Sequence, residues 1–578
     1  MDMGTRMRYK KEALFILLIS LITLIWFILL FSRFQLINFG DWDETFTHHE
    51  LQRKIILQYH QAPIWNPYLS GGEPWLAHPN SNFLSPLFIF VLVLGTIKGT
   101  IINYFFHALI GLLGMYFLSR YYGAEGIVSL LNSVIFLNIF NMLSLPGPFP
   151  FLSIAFLPWV YLFFNKSKNS VNYIFYTAAL LAFIVLSGSI YIALMAILII
   201  FLDGLFFSNS NHRFRFILNT TYIFLLAFLL SGPKLIPMIE LFMYYPRLTA
   251  LATAQNFLNP LNFLNGLILL NNLLFCPETT SNVYAMNNFF GKGAFQLFIL
   301  IGIICVFVSS CIILWRKYKS LVVINVVFLL LFLGDKSPVN LWQLLHYILP
   351  SIRGAHKFFP GLVTIFSLTA GLALHELGVR FVNLKRFKQL VCILLFVTIA
   401  YVCFSAWQTF NINQSMRYHL VTPDGEFYQT KGNPERMFET VSQGHAGVLS
   451  NDRLDVIGSQ INTKVSTRQD SGYRGEYYLL NGLGQVEQVL FSPNKLVFKL
   501  KLTGNDILMV NQNYFSGWHS SAGQIRLSGG LLSVALNKRE TEITIYYLPK
   551  SLLVGLVMFM IAPLLFFILK INGVLKRK

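Results

Sequence analysis

The stretch "ALFILLISLITLIWFILLF" (residues 13–31) decides the class of fold, because it is a long apolar run without a single charged side chain. A helix of this length can cross a hydrocarbon core of about 30 Å. The run follows the basic segment "RMRYKK" (6–11), and no small-x-small cleavage site comes after it. We therefore predict a first membrane span that is kept, and not a cleaved signal peptide.

The rest of the chain has the same character. Of its 578 residues, 55% are hydrophobic and 16% are aromatic, whereas only 12% carry a charge. Apolar runs recur along the chain, which is typical of polytopic α-helical membrane proteins. Four of the five cysteines lie in these runs and none forms a Cys-x-x-Cys pair, so we expect no disulfide framework and no cysteine metal site.

The positive charges indicate about twelve spans. A thirteenth apolar run, 83–97, is short and contains Pro86, so we predict a juxtamembrane helix at the outer surface. Both termini and the basic clusters between spans then lie in the cytoplasm. The net charge of +19 reflects this orientation and contact with anionic lipid, and does not indicate nucleic-acid binding. The predicted spans lie near 13–32, 101–119, 127–143, 149–164, 172–187, 190–206, 216–232, 294–314, 320–334, 357–379, 389–408 and 551–569.

A region of different composition precedes the last span. The runs "KLVFKLKL" (495–502) and "TEITIYYL" (541–548) alternate apolar and polar side chains, and Asn-Gly and Gly-Gly pairs separate such runs. This pattern predicts an extracytoplasmic, β-sandwich-like domain. The predicted domains are a first span (1–32), a first outer loop (33–100), a multi-span domain (101–408) with outer loops 233–293 and 335–356, the β domain (409–550), and a last span with a basic tail (551–578).

The first outer loop concentrates titratable side chains directly after the first span. "FGDWDETFTHHE" (39–50) places Asp41 about nine residues beyond the end of that span, so this carboxylate lies near the outer membrane surface. "PIWNPYLSGGEPWLAHPNSNFLSPLFIF" (63–90) mixes Pro, Gly, Asn and Trp, which predicts an ordered, irregular surface. We interpret the loop as one wall of a site at the membrane boundary. A solvated loop is the alternative for any single acid.

Four stretches together resemble the YfhO-type bacterial membrane proteins, which belong to the GT-C class of polyprenyl-phosphate-dependent glycosyltransferases. The class implies a helical membrane protein of the bacterial cytoplasmic membrane with an extracytoplasmic active site. The sequence differs from the family at "SGSIYI" (187–192), where a Gly-His-Pro-like turn is common, and at "RGAHKF" (353–358), where Arg-x-Pro-x-Arg is common. The similar stretches are "GD" (40–41) with "PIWNPYLSGGEPWLAHPNSNFLSP" (63–86), "GPKLIPMIELFMYYPR" (232–247), "LGDKSPVNLWQLLHYILPSIRGAHKFFPGLVTIFSLTAGLALHEL" (333–377), and "NQNYFSGWHSSAGQIRLSGGLLSVALNKRETEITIYYLP" (511–549).

The resemblance implies transfer of a sugar from polyprenyl (undecaprenyl) phosphate to an extracytoplasmic glycan or wall polymer. It places the role of base on Asp41, with Asp43 as the near alternative, and direct displacement would invert the anomeric carbon. The leaving phosphate needs a cation, for which the candidates are Arg353, His356 and Lys357, followed by Lys234 and Arg247. For any single cation, pairing with lipid headgroups is the alternative.

Contacts to the acceptor or its sugars are expected from Glu73, His78, Trp75 and Trp518, although loop hydrogen bonds or core packing explain these residues equally well. No cofactor is required. A divalent ion at Asp41 and Asp43 is an alternative, because some members of the wider class use one, but two carboxylates at this spacing do not make a site by themselves. We do not expect zinc at the histidines, since His48 and His49 cannot readily face one ion from a helix.

Two other functions compete with glycosyl transfer. A transporter or flippase of lipid-linked glycans would place polar groups within the spans, where His107 and Asp203 are the main candidates. A non-catalytic assembly factor that only binds lipid-linked glycan would share the same cationic cluster. The predicted spans are otherwise almost free of charged groups and the titratable side chains gather at the outer face, which argues against a transporter.

Overall fold

The structure is a computed structural model that describes residues 3–31, 41–144, 151–207, 213–245, 306–349, 354–381, 384–412, 426–431, 437–442, 446–449 and 464–571. Within these residues the chain forms a bundle of apolar helices with a β domain at one end, which confirms the predicted fold class of apolar helices with a C-terminal β domain. The count of about twelve spans and the extracytoplasmic side of the β domain stay predictions. The predicted domain boundaries stay predictions.

Helices form the larger part of the molecule. Among the described residues, five helices are long and apolar enough to cross a membrane, and a sixth crossing is made if the pair α9 and α10, which is bent by 80°, counts as one span. Four shorter apolar helices, α5, α7, α8 and α11, lie among them. The helices are α1 Met3–Phe31, α2 Trp42–Tyr59, α3 Ile89–Leu94, α4 Thr96–Tyr121, α5 Gly126–Ser144, α6 Leu157–Ser167, α7 Asn172–Leu186, α8 Ile190–Phe207, α9 Arg213–Leu230, α10 Gly232–Tyr244, α11 Lys319–Leu333, α12 Leu341–Ile348, α13 Phe359–Phe381, α14 Leu384–Ile412, α15 Met437–Ser442 and α16 Lys550–Ile571, with a further helical stretch over 306–314.

One end of the bundle, here called the ion-pair end, joins helix termini through opposite charges. The start of α1 meets the end of α4, where Glu12 lies 2.6 Å from the Arg120 guanidinium. Lys388 near the start of α14 pairs with Glu125 just before α5, and Lys317 just before α11 pairs with Glu376 near the end of α13. Among the described residues, Arg380–Glu376 and Lys168–Asp203 are further ion pairs at this end. These are the ends at which the sequence concentrates Lys and Arg.

The opposite end, here called the loop end, carries α2 and the first loop. In the run 83–97, a 3-10 turn over Pro86–Phe88 leads into the six-residue helix α3, and α4 begins at Thr96. The turn and α3 together are too short to cross a hydrocarbon core. Gly95, at φ 83°, separates α3 from α4. A Cβ atom at Gly99 would lie 2.3 Å from the Phe90 carbonyl oxygen, so α3 packs directly on the backbone of α4.

The β domain consists of two four-stranded antiparallel sheets packed face to face. The strand orders are β4-β5-β10-β7 and β3-β6-β9-β8, and a separate parallel pair joins β1 to β2. Along β5, Leu496, Phe498 and Leu500 are buried, as the alternating pattern predicts, while Lys495, Lys499 and Lys501 are exposed. The strands are β1 Tyr428–Lys431, β2 Ala446–Leu449, β3 Tyr477–Leu479, β4 Gly484–Ser492, β5 Lys495–Leu502, β6 Asp506–Asn513, β7 Trp518–Ser520, β8 Gln524–Ser528, β9 Leu531–Leu536 and β10 Glu542–Tyr547.

The first loop and the β domain share one hydrophobic core. Trp65 of the loop is fully buried, with its ring centroid 5.1 Å from Trp518 and 4.9 Å from Tyr547. Its indole Nε1 donates to Gln512 at 2.9 Å. Asn513 donates from its side-chain amide to the loop carbonyls of Ser70 and Gly72. The loop is therefore ordered by the β domain.

We expect Gly555→Ala to destabilise the protein. Helices α10 and α16 touch so closely that a Cβ atom at Gly555 would lie 2.3 Å from the carbonyl oxygen of Gly232. Alanine normally stabilises a helix by about 1 kcal/mol relative to glycine, but here the overpacking costs about 1–3 kcal/mol. The midpoint of thermal unfolding in detergent should fall by a few degrees. Val557→Ala on an exposed position of the same helix is the control, and an unchanged or raised midpoint for Gly555→Ala would contradict the predicted contact.

Candidate functional site

The three acids at the start of α2 occupy three different environments. Asp41 is exposed at the N-cap position of the helix. Its carbonyl oxygen accepts hydrogen bonds from the amide and the hydroxyl of Thr45, both at 2.9 Å. The first bond is the ordinary start of the helical pattern, and the Asp41 side chain makes no capping hydrogen bond. The carboxylate of Asp41 projects from an exposed residue at the loop end.

Asp43 is buried and its side chain bonds to the start of α15. Its Oδ2 atom accepts a hydrogen bond of 2.9 Å from the backbone N–H of Met437, the first residue of α15. Phe46, one turn along α2, packs on Phe438 with ring centroids 5.6 Å apart. A carboxylate at a helix N-terminus satisfies an otherwise unbonded amide and is favoured by the helix dipole. Asp43, which the sequence analysis gave as the alternative base, is therefore bonded to the Met437 amide.

Glu44 lies between these two environments, and the sequence analysis did not single it out. Its side chain is 24% exposed, and Oε1 lies 3.9 Å from Nε2 of His48, one turn along the helix. The same Oε1 atom accepts a hydrogen bond of 3.4 Å from Nδ2 of Asn80. The (i, i+4) spacing of Glu44 and His48 is the sequence signal that could have revealed this pair.

A stack of rings holds His48 in place. His48 is fully buried, and its ring centroid lies 4.8 Å from Trp75 and 5.7 Å from His78. Trp75 and His78 are also fully buried and stack with centroids 4.7 Å apart and planes inclined by 5°. His78 accepts a hydrogen bond on Nδ1 from the Asn80 amide at 3.2 Å.

The residues expected to contact the acceptor thus lie in the interior. Glu73 is fully buried and exchanges backbone hydrogen bonds with Asn66. Its carboxylate also accepts a hydrogen bond of 3.2 Å from the side-chain amide of Asn66. Trp518 is 5% exposed and packs between Trp65 and Tyr547. Because both tryptophan rings are covered, Trp75 and Trp518 stabilise the loop and its attachment, and the ring faces expected for sugar contact are occupied by protein.

A second polar network joins α2 to α4 and the loop. His49 contacts the hydroxyl of Thr100 at 2.6 Å through Nδ1 and the amide of Asn82 at 2.9 Å through Nε2. Burial, together with the neighbouring His48 and His107, lowers the pKa of His49 to about 3. Within the described ranges, no three His, Cys, Asp or Glu side chains are grouped to hold a metal ion. The divalent ion stays an untested alternative.

An apolar cavity of about 550 Å³ lies behind this polar loop. Helices α7, α8, α9 and α10 line it, together with Leu349, and Pro79 and Asn80 form its rim at the loop end. Ile197 and Phe228 belong to the lining and are 39% and 42% exposed, so the cavity is reached from the outer, lipid-facing side of the bundle. Its walls suit a hydrocarbon chain.

Lys234 and Gly188 hold the rim of the cavity in position. The Nζ atom of Lys234, itself buried, donates to the carbonyl oxygens of Pro79, at 3.0 Å, and Ser81. Gly188 has φ +81°, and a Cβ atom there would lie 3.1 Å from the Pro79 carbonyl oxygen. Lys234 therefore binds the loop, a different role from the phosphate contact that the sequence analysis considered.

Lys357 lies beside the same cavity. Its Nζ atom is 5.6 Å from the ring centroid of Tyr191, which lines the cavity, and 5.2 Å from that of Phe151. Aromatic rings at these distances attract an ammonium group and hold it in place. Lys357 thus lies next to a residue of the cavity wall, and its predicted role as a phosphate ligand stays a prediction. Arg353 and Arg247 lie outside the described residues, as does the side chain of His356.

The chain is similar to a solved structure. Arabinofuranosyltransferase AftD from mycobacteria, determined by single-particle cryo-electron microscopy, matches with a TM-score of 0.45 and 14% sequence identity. The match covers 74% of this chain and 31% of the AftD chain, so this chain spans less than a third of that enzyme's length. No protein-family model matches the sequence, and no curated protein matches it.

The polar groups that a transporter would need within its spans have partners inside the protein. Asp203 accepts hydrogen bonds from Lys168 at 2.8 Å and Tyr161 at 3.0 Å at the ion-pair end. His107 contacts the carbonyl oxygen of Asn103 at 2.9 Å through Nδ1. Both side chains are buried. The Asp203 bonds join α8 to α6 and the residue that follows it, whereas the His107 contact lies within α4.

We expect Asp43→Ala and Asp41→Ala to differ in their effect on stability. Removing the Asp43 carboxylate leaves the Met437 amide without its acceptor, which costs about 0.5–2 kcal/mol. Asp41→Ala removes an exposed side chain and should leave stability within about 0.5 kcal/mol. Hydrogen exchange over Met437–Ser442 and the thermal midpoint measure the difference. Asp43→Asn, which keeps an acceptor oxygen, should fall between them, and equal effects of both alanine variants would contradict the assigned contact.

Lys54 predicts a rise of stability with pH. Its Nζ atom donates to the Val441 carbonyl oxygen at 3.1 Å, and burial lowers the pKa of Lys54 to about 8, partly opposed by Glu50. An unfolded lysine has a pKa near 10.4, so between about pH 8 and 10 the unfolded chain binds more protons and raising the pH favours folding. The thermal midpoint of the wild type relative to Lys54→Met should therefore increase from pH 7.5 to pH 9.5. A constant difference would show that Lys54 titrates normally.

Proposed function

We propose that this protein is a membrane glycosyltransferase of the bacterial cytoplasmic membrane. It moves a sugar from a polyprenyl phosphate to a hydroxyl of an extracytoplasmic glycan or wall polymer. The observation that carries the proposal is the apolar cavity at the loop end. Asn80 on its rim donates to the carboxylate of Glu44 on α2, and Tyr191 on its wall lies next to the ammonium group of Lys357. A lipid-linked sugar requires this combination of a hydrocarbon site with polar chemistry at its end.

The lipid part of the donor occupies the cavity among α7, α8, α9 and α10. Its walls are apolar, and its exposed lining at Ile197 and Phe228 lets an isoprenoid chain enter from the bilayer. The polar head then lies at the rim, near Asn80 and Tyr191. Transfer of the chain from lipid to this cavity changes its environment little, so affinity depends on the head.

Lys357 binds the phosphate of the donor. Its ammonium group lies next to Tyr191 on the cavity wall, so a phosphate at the rim comes within its reach. As the bond to the sugar breaks, negative charge grows on the leaving phosphate, and a fixed cation stabilises that charge more in the transition state than in the bound donor. The mechanism needs no metal ion for this step.

Asp41 removes the proton of the acceptor hydroxyl. The hydroxyl oxygen forms a bond to the anomeric carbon while the bond between that carbon and the phosphate oxygen breaks. The proton passes to the Asp41 carboxylate, and polyprenyl phosphate leaves with the electron pair of the broken bond. A single displacement of this kind inverts the anomeric centre. Asp41 suits the role because it is exposed beside the loop, whereas the Asp43 carboxylate binds the Met437 amide.

The competing functions make different demands on the protein. A flippase moves the lipid-linked glycan across the bilayer without forming a bond. An assembly factor binds the glycan but neither moves it across the bilayer nor transfers its sugar. The partners of Asp203 and His107 give the transporter no support, since Asp203 bonds to Tyr161 and Lys168 and the buried His107 contacts the carbonyl oxygen of Asn103. The binding-only alternative is separated from the enzyme by the fate of the donor sugar.

Reconstituted protein tests the proposal. Liposomes containing the wild type, radiolabelled polyprenyl-phosphate sugars and envelope polysaccharide should yield labelled polymer. Asp41→Asn should lower the rate constant by at least about 100-fold, as expected for loss of a general base, while polyprenyl phosphate still binds. Lys357→Met should weaken that binding by about tenfold or more, and Lys357→Arg should restore part of it.

The matched controls are Glu487→Gln and Lys499→Met, which neutralise exposed side chains on the β domain far along the chain from the rim. Both should keep the wild-type rate and affinity. Label that crosses the bilayer without entering polymer would replace the proposal by a flippase. Donor that binds but keeps its sugar with every sugar tested would leave an assembly factor.

A further inference from the structure

We propose that Glu44 binds the acceptor sugar and that His48 is the residue that positions it. This inference rests on the proposed function, since it names the group that receives the second substrate of the same site. Glu44 lies within hydrogen-bond reach of Asn80, and Asn80 forms part of the cavity rim. The Asn80 side chain thus lies between the Glu44 carboxylate and the cavity rim, where the reacting end of the donor lies.

The exposure of Glu44 suits contact with a substrate. At 24% exposure its side chain is accessible to a sugar but is shielded on its other sides by protein. A carboxylate oxygen accepts hydrogen bonds from two neighbouring hydroxyl groups of a sugar, and such charge-assisted bonds are stronger than neutral ones. Asp43, the nearest other carboxylate on α2, is 7% exposed and has its oxygen on the Met437 amide, so it cannot serve in the same way without releasing α15.

The surroundings of His48 explain how Glu44 keeps its orientation. The imidazole is fully buried against Trp75 and near His78, and these two rings stack on each other. A ring held in this way cannot turn freely, so its Nε2 atom stays 3.9 Å from the Glu44 carboxylate. Asn80 approaches Glu44 from the loop, and its own backbone amide bonds to His78. The two supports of Glu44 are therefore joined to each other.

The same arrangement gives the buried aromatic residues of the loop a functional purpose. The sequence analysis expected Trp75 and His78 to touch the acceptor. Their burial prevents direct contact, but both residues pack against the imidazole that supports Glu44. Specificity for the acceptor then depends on Glu44, and the rings behind it act through its position.

Steady-state kinetics with envelope polysaccharide as the varied acceptor tests the inference. Glu44→Gln should raise the acceptor KM by at least about tenfold, and Glu44→Asp should restore part of the affinity. Binding of polyprenyl phosphate and the slow hydrolysis of the donor by water should stay at the wild-type level, since neither involves a sugar acceptor. His48→Gln, which keeps a hydrogen-bonding amide, should raise KM less than His48→Leu, with kcat less affected than KM in both.

Asn80→Asp provides a second route to the same answer without changing α2. It places a carboxylate against Glu44, and the repulsion should displace Glu44 and raise the acceptor KM. A wild-type KM for Glu44→Gln, or a loss confined to kcat, would overturn the inference while transfer by the wild type still supports the proposed function. A wild type that forms no polymer and hydrolyses no donor would instead remove the function on which the inference rests.

Discussion

The structure depends on one constraint, which is that an irregular loop at a membrane boundary must satisfy its backbone without forming a helix. Buried peptide groups need hydrogen-bond partners, and this loop obtains many of them from the β domain. Asn513 bonds to two loop carbonyls, Val448 exchanges backbone hydrogen bonds with the loop at Tyr68 and Ser70, and Trp65 enters the core of the domain. The domain therefore acts as the second half of the loop's own structure.

This constraint explains how polar chemistry and a hydrocarbon cavity meet at one place. The loop reaches the bundle at Pro79, where Lys234 and Gly188 hold its backbone against the ends of the helices. On one side of that contact lie the apolar walls of the cavity, and on the other side lie the acids of α2. The boundary is sharp because a single segment of loop backbone, bonded to a buried ammonium group, separates the two regions.

Much of the fold could be predicted from the sequence, since local pattern determines it. The run 190–206 corresponds to α8 at Ile190–Phe207, and 495–502 coincides with β5 at Lys495–Leu502. Bilayer thickness and strand alternation impose these lengths, so they leave a clear mark on the chain. The site was harder to predict. Whether the Trp518 ring faces solvent or Trp65 depends on tertiary packing, and no local pattern records that the Asp43 carboxylate binds Met437.

The bond between Asp43 and Met437 also has a consequence for biogenesis. Its two partners are 394 positions apart, so Asp43 is synthesised long before the residue that bonds to its carboxylate. Domains fold largely in the order of their synthesis, and the first loop is translated long before the segment that orders it. The nascent chain therefore contains α2 before it contains the residues that hold Asp43 in place. The contact between α2 and α15 forms only after synthesis has passed Met437.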